Sequence, residues 1–95
     1  MFDESIVEKI AEAALEGDLE ELLKKEFEDY DYEIIERNGW DEESVRKVVF
    51  LKKYEHGTYF TDYLIVIEIC YSVPRVSVTI FDKFSSEPSH YEFEF

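Results

Sequence analysis

Five glutamates stand at positions 4, 8, 12, 16 and 20, within the run ESIVEKIAEAALEGDLE. Carboxylates hold cations, move protons or meet arginine and lysine, so a row of them is the first place to look for chemistry. On a helix each fourth residue lies about 6 Å further along the axis and about 40° further round, which makes the row a shallow spiral of negative charge. Like charges at this spacing repel by roughly 0.2–0.5 kcal/mol per pair. Glu20 has Lys24 and Glu21 has Lys25 four residues on, whereas Glu4, Glu8, Glu12 and Glu16 have no base in that position. Such a row is either a solvated helix face or a surface meant for cationic groups.

A second acidic group surrounds DYDYE: Asp29, Asp31 and Glu33, with Glu26 and Glu28 before them and Asp41, Glu42 and Glu43 after. The spacing from Asp29 resembles the start of a calcium loop, but Ile34 occupies the position that needs glycine and Trp40 the position that needs the final glutamate. No metal site and no cofactor are expected. The better reading is a polar sheet face that continues the acidic surface.

Nucleophilic catalysis finds little material. Cys70 lies in the most apolar segment and reads as a small buried hydrophobe. His56 stands in a turn and His90 before the last strand, and neither belongs to G-x-S-x-G, H-E-x-x-H or C-x-x-C. Three glycines in the chain leave no phosphate-cradling loop. The chain does not read as an enzyme. Sixteen aromatic residues, seven of them tyrosine, exceed the needs of a small core. Trp40, beside the Asn38-Gly39 turn, and Tyr32, among the carboxylates, are candidate anchors for a partner, because such rings combine apolar area with a polar tip.

Elements to position these groups follow from periodicity. Ser5 with Glu8 forms a capping-box pattern, with Asp3 as the competing cap, and Gly17 sits where a helix ends. Asp18 with Glu21 repeats the cap signal, and Leu19, Leu22, Leu23 and Phe27 make a second apolar stripe out of phase with the first. A break at Gly17 and Asp18 is expected. From Tyr30 the period drops to two, giving a strand that ends near Arg37. Residues 40–44 read as loop or as one helical turn capped by Asp41. Further strands are expected at 45–54, 58–71, 76–81 and 91–95, separated by His56-Gly57, Pro74 and the Ser85-to-Pro88 loop. Leu64 to Ile67 is apolar on both parities, which suits a central strand covered on both faces. Helices followed by closely connected strands predict one α+β domain over 1–95, with an N-terminal helix or helix pair on one face of a four- to five-stranded antiparallel meander.

Charge narrows the functional classes. The formal net charge is −14, and residues 1–44 hold 17 acids against 4 bases while the remainder holds 7 against 6. A field so polarised steers basic partners and repels nucleic acid and anionic membrane, so neither is expected to bind directly. A single cysteine and the lack of a basic leader or long apolar run point to the cytoplasm, of a host cell if the source is viral. The expected function is a small acidic inhibitor that imitates nucleic acid in the basic groove of a nucleic-acid-handling protein. A CRISPR effector, a restriction enzyme or a nuclease toxin fits that description, which points to an anti-CRISPR, anti-restriction or immunity protein. Glu4, Glu8, Glu12, Glu16, Asp29, Asp31, Glu33, Asp41, Glu42 and Glu43 supply the charge, Trp40 and Tyr32 the anchors. The alternative is an acidic adaptor or secretion-chaperone-like protein that uses a hydrophobic sheet edge at 59–71 or 91–95. A monomer is expected, or a weak homodimer through the terminal strand, whose Glu92 and Glu94 discourage pairing.

Overall fold

The computed structural model describes residues 2–39 and 42–95. Two helices, α1 (Glu4–Glu16) and α2 (Leu19–Glu26), precede five strands: β1 (Asp31–Asn38), β2 (Ser44–Glu55), β3 (Thr58–Cys70), β4 (Arg75–Asp82) and β5 (Ser89–Glu94). The strands form one antiparallel sheet in chain order, so the architecture is an α+β meander with β3 at its centre.

The helices begin and end for local reasons. Asp3 caps α1, its carboxylate accepting the Ile6 N–H at 2.9 Å, so the competing cap takes the role ahead of Ser5. Gly17 closes the helix with φ at 86°, a left-handed conformation that costs glycine nothing, and its N–H bonds back to Ala13. Asp18 precedes α2 but makes no side-chain cap bond, so the second helix starts from the turn geometry rather than from the aspartate.

Val7, Ile10, Ala11 and Ala14 of α1, with Leu19, Leu23 and Phe27, meet one face of the sheet: Val49, Leu51, Ile65, Ile67, Ile69, Val76, Val78 and Ile80. Small alanines let α1 lie close to β3, β4 and β5, and fully buried aliphatic side chains of this size each contribute roughly 1.5–3 kcal/mol. Tyr32 and Ile34 of β1 and Tyr91 and Phe93 of β5 close the two sides of the same core.

Only that face is covered. The pleat sends Ile35, Val48, Phe50, Leu64, Val66 and Phe81 to the other side, where among the described residues no element packs on them. The two-sided cover expected for Leu64 to Ile67 is therefore corrected: Ile65 and Ile67 are fully buried, while Leu64 and Val66 are only partly buried. Cys70, expected to be buried, is half-exposed on this same open face, in register with Ser44 and Arg75.

The β2–β3 hairpin is the longest in the sheet and turns through His56 and Gly57, both at positive φ, as a twisted two-residue hairpin requires. Its register slips once: Leu51 pairs with Tyr63 and Lys52 with Thr61, leaving Asp62 as an extra residue. Beyond the bulge, Tyr54 and Tyr59 stand 60% and 57% exposed with their rings edge to face at 5.0 Å.

Candidate functional site

Residues 3–29, which build the helical layer, carry eleven acids against three bases, a formal −8. Glu4, Glu8, Glu12 and Glu16 are all exposed along α1, because Val7, Ile10, Ala11 and Ala14 take the inward stripe of the helix. Among the described residues none of the four lies within ion-pair distance of a lysine or arginine; the pair that links the two helices is Lys9 with Glu26, at 4.0 Å. Glu12 and Glu16 line a groove against α2 together with Asp18 and Glu21, and Lys9 and Lys25 stand at its sides. Only the second half of the row, Glu12 and Glu16, thus borders this groove, whose lining holds four acids and two bases.

The second acidic group is divided. Asp31 and Glu33 leave β1 on the face opposite the helices, since Tyr32 and Ile34 take the core side, so the sheet separates them from the glutamate row. Glu33 is also committed to its own chain, accepting a 2.7 Å hydrogen bond from Lys52 Nζ. Asp29 precedes the strand in a turn and is exposed at the end of the helical layer. Asp29 therefore does not belong to the polar sheet face of Asp31 and Glu33, because pairing begins at Asp31.

Glu42 and Glu43 are exposed in the turn between β1 and β2, where Glu43 accepts a 2.8 Å hydrogen bond from Ser72. Trp40 and Asp41 lie outside the described residues. Tyr32 is half-buried against the core, because the alternation that exposes its acidic neighbours turns the ring inward. Among the described residues no group of three His, Cys, Asp or Glu side chains stands close enough to hold a metal ion.

One ionic centre had no visible signal in the sequence. Asp62, the bulge residue, is 8% exposed and holds Lys83 Nζ at 2.5 Å, while the Lys83 N–H donates to the Asp62 carbonyl at 3.2 Å. The Lys83 ammonium is pushed above its ordinary range chiefly by its hydrogen bond to Asp62. Burial raises the Tyr30 phenol, and the neighbouring Asp62 carboxylate adds to the effect; burial also raises Tyr63, with Asp82 contributing. Rings of Phe2, Tyr30 and Tyr63 pack edge to face around this point, with centroids 4.8 and 6.0 Å apart. The arrangement ties the hairpin to the start of the β4–β5 loop.

The open sheet face is electrically different from the helical layer. Its strand residues include Arg37, Arg46, Lys52 and Arg75 against Asp31, Glu33, Glu68, Glu92 and Glu94, a formal −1 with His90 neutral. Most are already paired: Arg46 with Glu68, Lys52 with Glu33, and Arg75 with Glu94 at 3.3 Å.

No protein-family model, curated protein or solved structure matches the chain. Among the described residues no helix is long and apolar enough to cross a membrane.

Proposed function

We propose that the chain is a non-enzymatic binding protein whose helical layer occupies the cationic groove in which a nucleic-acid-handling protein holds its substrate. The observation that carries this reading is the exposed row Glu4, Glu8, Glu12 and Glu16, which has no lysine or arginine partner among the described residues, on a helix capped by a further acid, Asp3. Thirteen helical residues span about 20 Å, over which one strand of duplex DNA presents about six phosphates. With Asp3, α1 offers five carboxylates against the single base Lys9, close to that density. Arginines and lysines that hold phosphates would meet carboxylates instead, and the −8 of the helical layer would accelerate encounter. CRISPR effectors, restriction enzymes and nuclease toxins present grooves of this kind.

The surface is smaller than the sequence suggested. Asp31 and Glu33 face away from it and Tyr32 is turned into the core, so α1, α2 and the Glu28-Asp29 turn carry the reading alone. The adaptor reading loses one of its two edges, since β3 is the central strand. At the other, Tyr91 and Phe93 of β5 pack against the core rather than outward.

The test is capture from host lysate on the immobilised chain at low and high salt, with Glu8→Lys/Glu12→Lys as the control bait. A nucleic-acid enzyme retained only at low salt, displaced by duplex DNA and lost from the double variant is the expected result. A salt-resistant partner without nucleic-acid function, or retention indifferent to the reversal, overturns the proposal.

A further inference from the structure

The segment Leu64-Ile65-Val66-Ile67 has the composition of a strand covered on both faces, yet the described residues cover only one. On the open face register builds two apolar rows across the strands. One runs Ile35, Val48, Val66, Thr79; the next runs Phe50, Leu64, Phe81, with Phe81 42% exposed. A contiguous apolar block of this kind on a sheet is characteristic of a face that packs on another sheet.

Charge identifies the occupant. The face is close to neutral, with a formal −1, whereas the helical layer carries −8 on the far side of the molecule, so two open faces can meet without bringing the strongly acidic surfaces together. Two charged groups of this face stand on β1 without an ion-pair partner among the described residues. Asp31 is one; Arg37 is the other, its guanidinium donating only to the Glu36 carbonyl at 3.2 Å. They lie three residues to either side of Ile34, and the two apolar rows lie one residue to either side of that same level.

We propose that this face is covered by a second copy of the chain, the two sheets packing about a two-fold axis that crosses the strands between the apolar rows. A symmetric contact of this type places residue i on residue j and j on i. Val48 then lies over Phe50 of the second copy, Val66 over Leu64, and Thr79 over Phe81. At the two ends of β1, Asp31 of each copy meets Arg37 of the other. The same axis sets Ile35 over Glu33 and Lys52, paired with Glu33, over Arg46, paired with Glu68, so each corner joins a net −1 (Asp31, Glu33, Lys52) to a net +1 (Arg37, Arg46, Glu68), and this is the self-complementarity a second copy requires. The acidic helical layers point outward on opposite sides, so both remain free for the proposed cationic partner.

Sedimentation velocity of the purified chain, from low micromolar to near-millimolar concentration, tests this. The expected result is a concentration-dependent shift to twice the chain mass that Val66→Asp abolishes while far-ultraviolet circular dichroism stays that of the folded chain. Asp31→Arg and Arg37→Asp should each weaken self-association about tenfold, since each places like charges together twice. The double exchange, Asp31→Arg with Arg37→Asp, should recover affinity to within about twofold of the original. This rescue decides the matter even if Val66→Asp fails to fold. A chain monomeric throughout overturns the proposal, including one in which a photocrosslinker at position 66 captures a different protein. So does a dimer in which the double exchange is as weak as the two single changes combined.

Discussion

The two outer surfaces of this molecule are built from the same kind of local pattern and end with opposite properties. On α1 the inward stripe of Val7, Ile10, Ala11 and Ala14 leaves glutamates outside, and among the described residues no lysine or arginine pairs with Glu4, Glu8, Glu12 or Glu16. On the sheet the inward row of Val49, Ile65, Val78 and their neighbours leaves Val48, Leu64, Val66 and Phe81 outside, with charges that mostly pair with one another. The first surface is soluble at the cost of internal repulsion, the second is neutral at the cost of exposed hydrocarbon. Each cost falls when the surface is covered, one by cations and the other by an apolar face of similar charge balance.

Substitutions on neighbouring residues of β3 are the sharpest way to separate the two sides of the sheet. Ile67→Ala removes a fully buried side chain and should cost 2–5 kcal/mol in urea unfolding at any protein concentration. Val66→Ala, one residue away on the open face, should cost roughly 1 kcal/mol or less at micromolar concentration and more as concentration rises. Equal and concentration-independent losses at the two positions would mean that the faces do not differ as described.

A smaller effect tests the helical layer. Asp3→Ala removes the acceptor of the Ile6 N–H and should lower stability by about 1 kcal/mol, read from the urea midpoint. The loss should exceed that of Ser5→Ala, whose hydroxyl is not the cap. An equal loss from Ser5 would place the start of α1 elsewhere.

The smallest effect is expected at alkaline pH. Tyr30, Tyr63 and Lys83 all keep their protons more tightly in the folded chain than in the unfolded one. The unfolded chain therefore releases these protons first as pH passes about 10, so the contribution of these three groups should be constant below that point and fall above it. Asp62→Asn removes the carboxylate that holds Lys83 and stands beside Tyr30, and should flatten the fall seen in melting temperature between pH 9 and 11. An unchanged slope would remove Asp62 from this account.

Element types were legible because period and punctuation agreed. Gly17 marks the helix break, the alternation after Tyr30 marks β1, and the clean pattern near Tyr91 marks β5. The positions of the acids on the finished molecule were partly legible too. If Tyr32 and Ile34 face the helices, Asp31 and Glu33 must face away from them, and the glutamates on the far side of α1 must lie opposite. The expectation of one acidic patch ignored this consequence of stacking two layers. What the pattern did not contain was the Asp62 bulge, which depends on a register slip between Leu51 and Lys52, and the ion pairs across strands, which depend on register as a whole. The apolar parity at Leu64 and Val66 was visible, but a single chain gave no sign that its second cover is missing.

The most direct test of the acidic helical surface is the salt dependence of binding to the captured target, measured for the wild-type chain and for charge reversals on each face. The logarithm of the association constant should fall steeply with the logarithm of salt concentration for the wild type and much less for Glu8→Lys/Glu12→Lys. Asp31→Lys/Glu33→Lys, on the other face, should retain the wild-type slope. A flat wild-type slope, or an equal loss from reversal on the sheet face, would contradict the account.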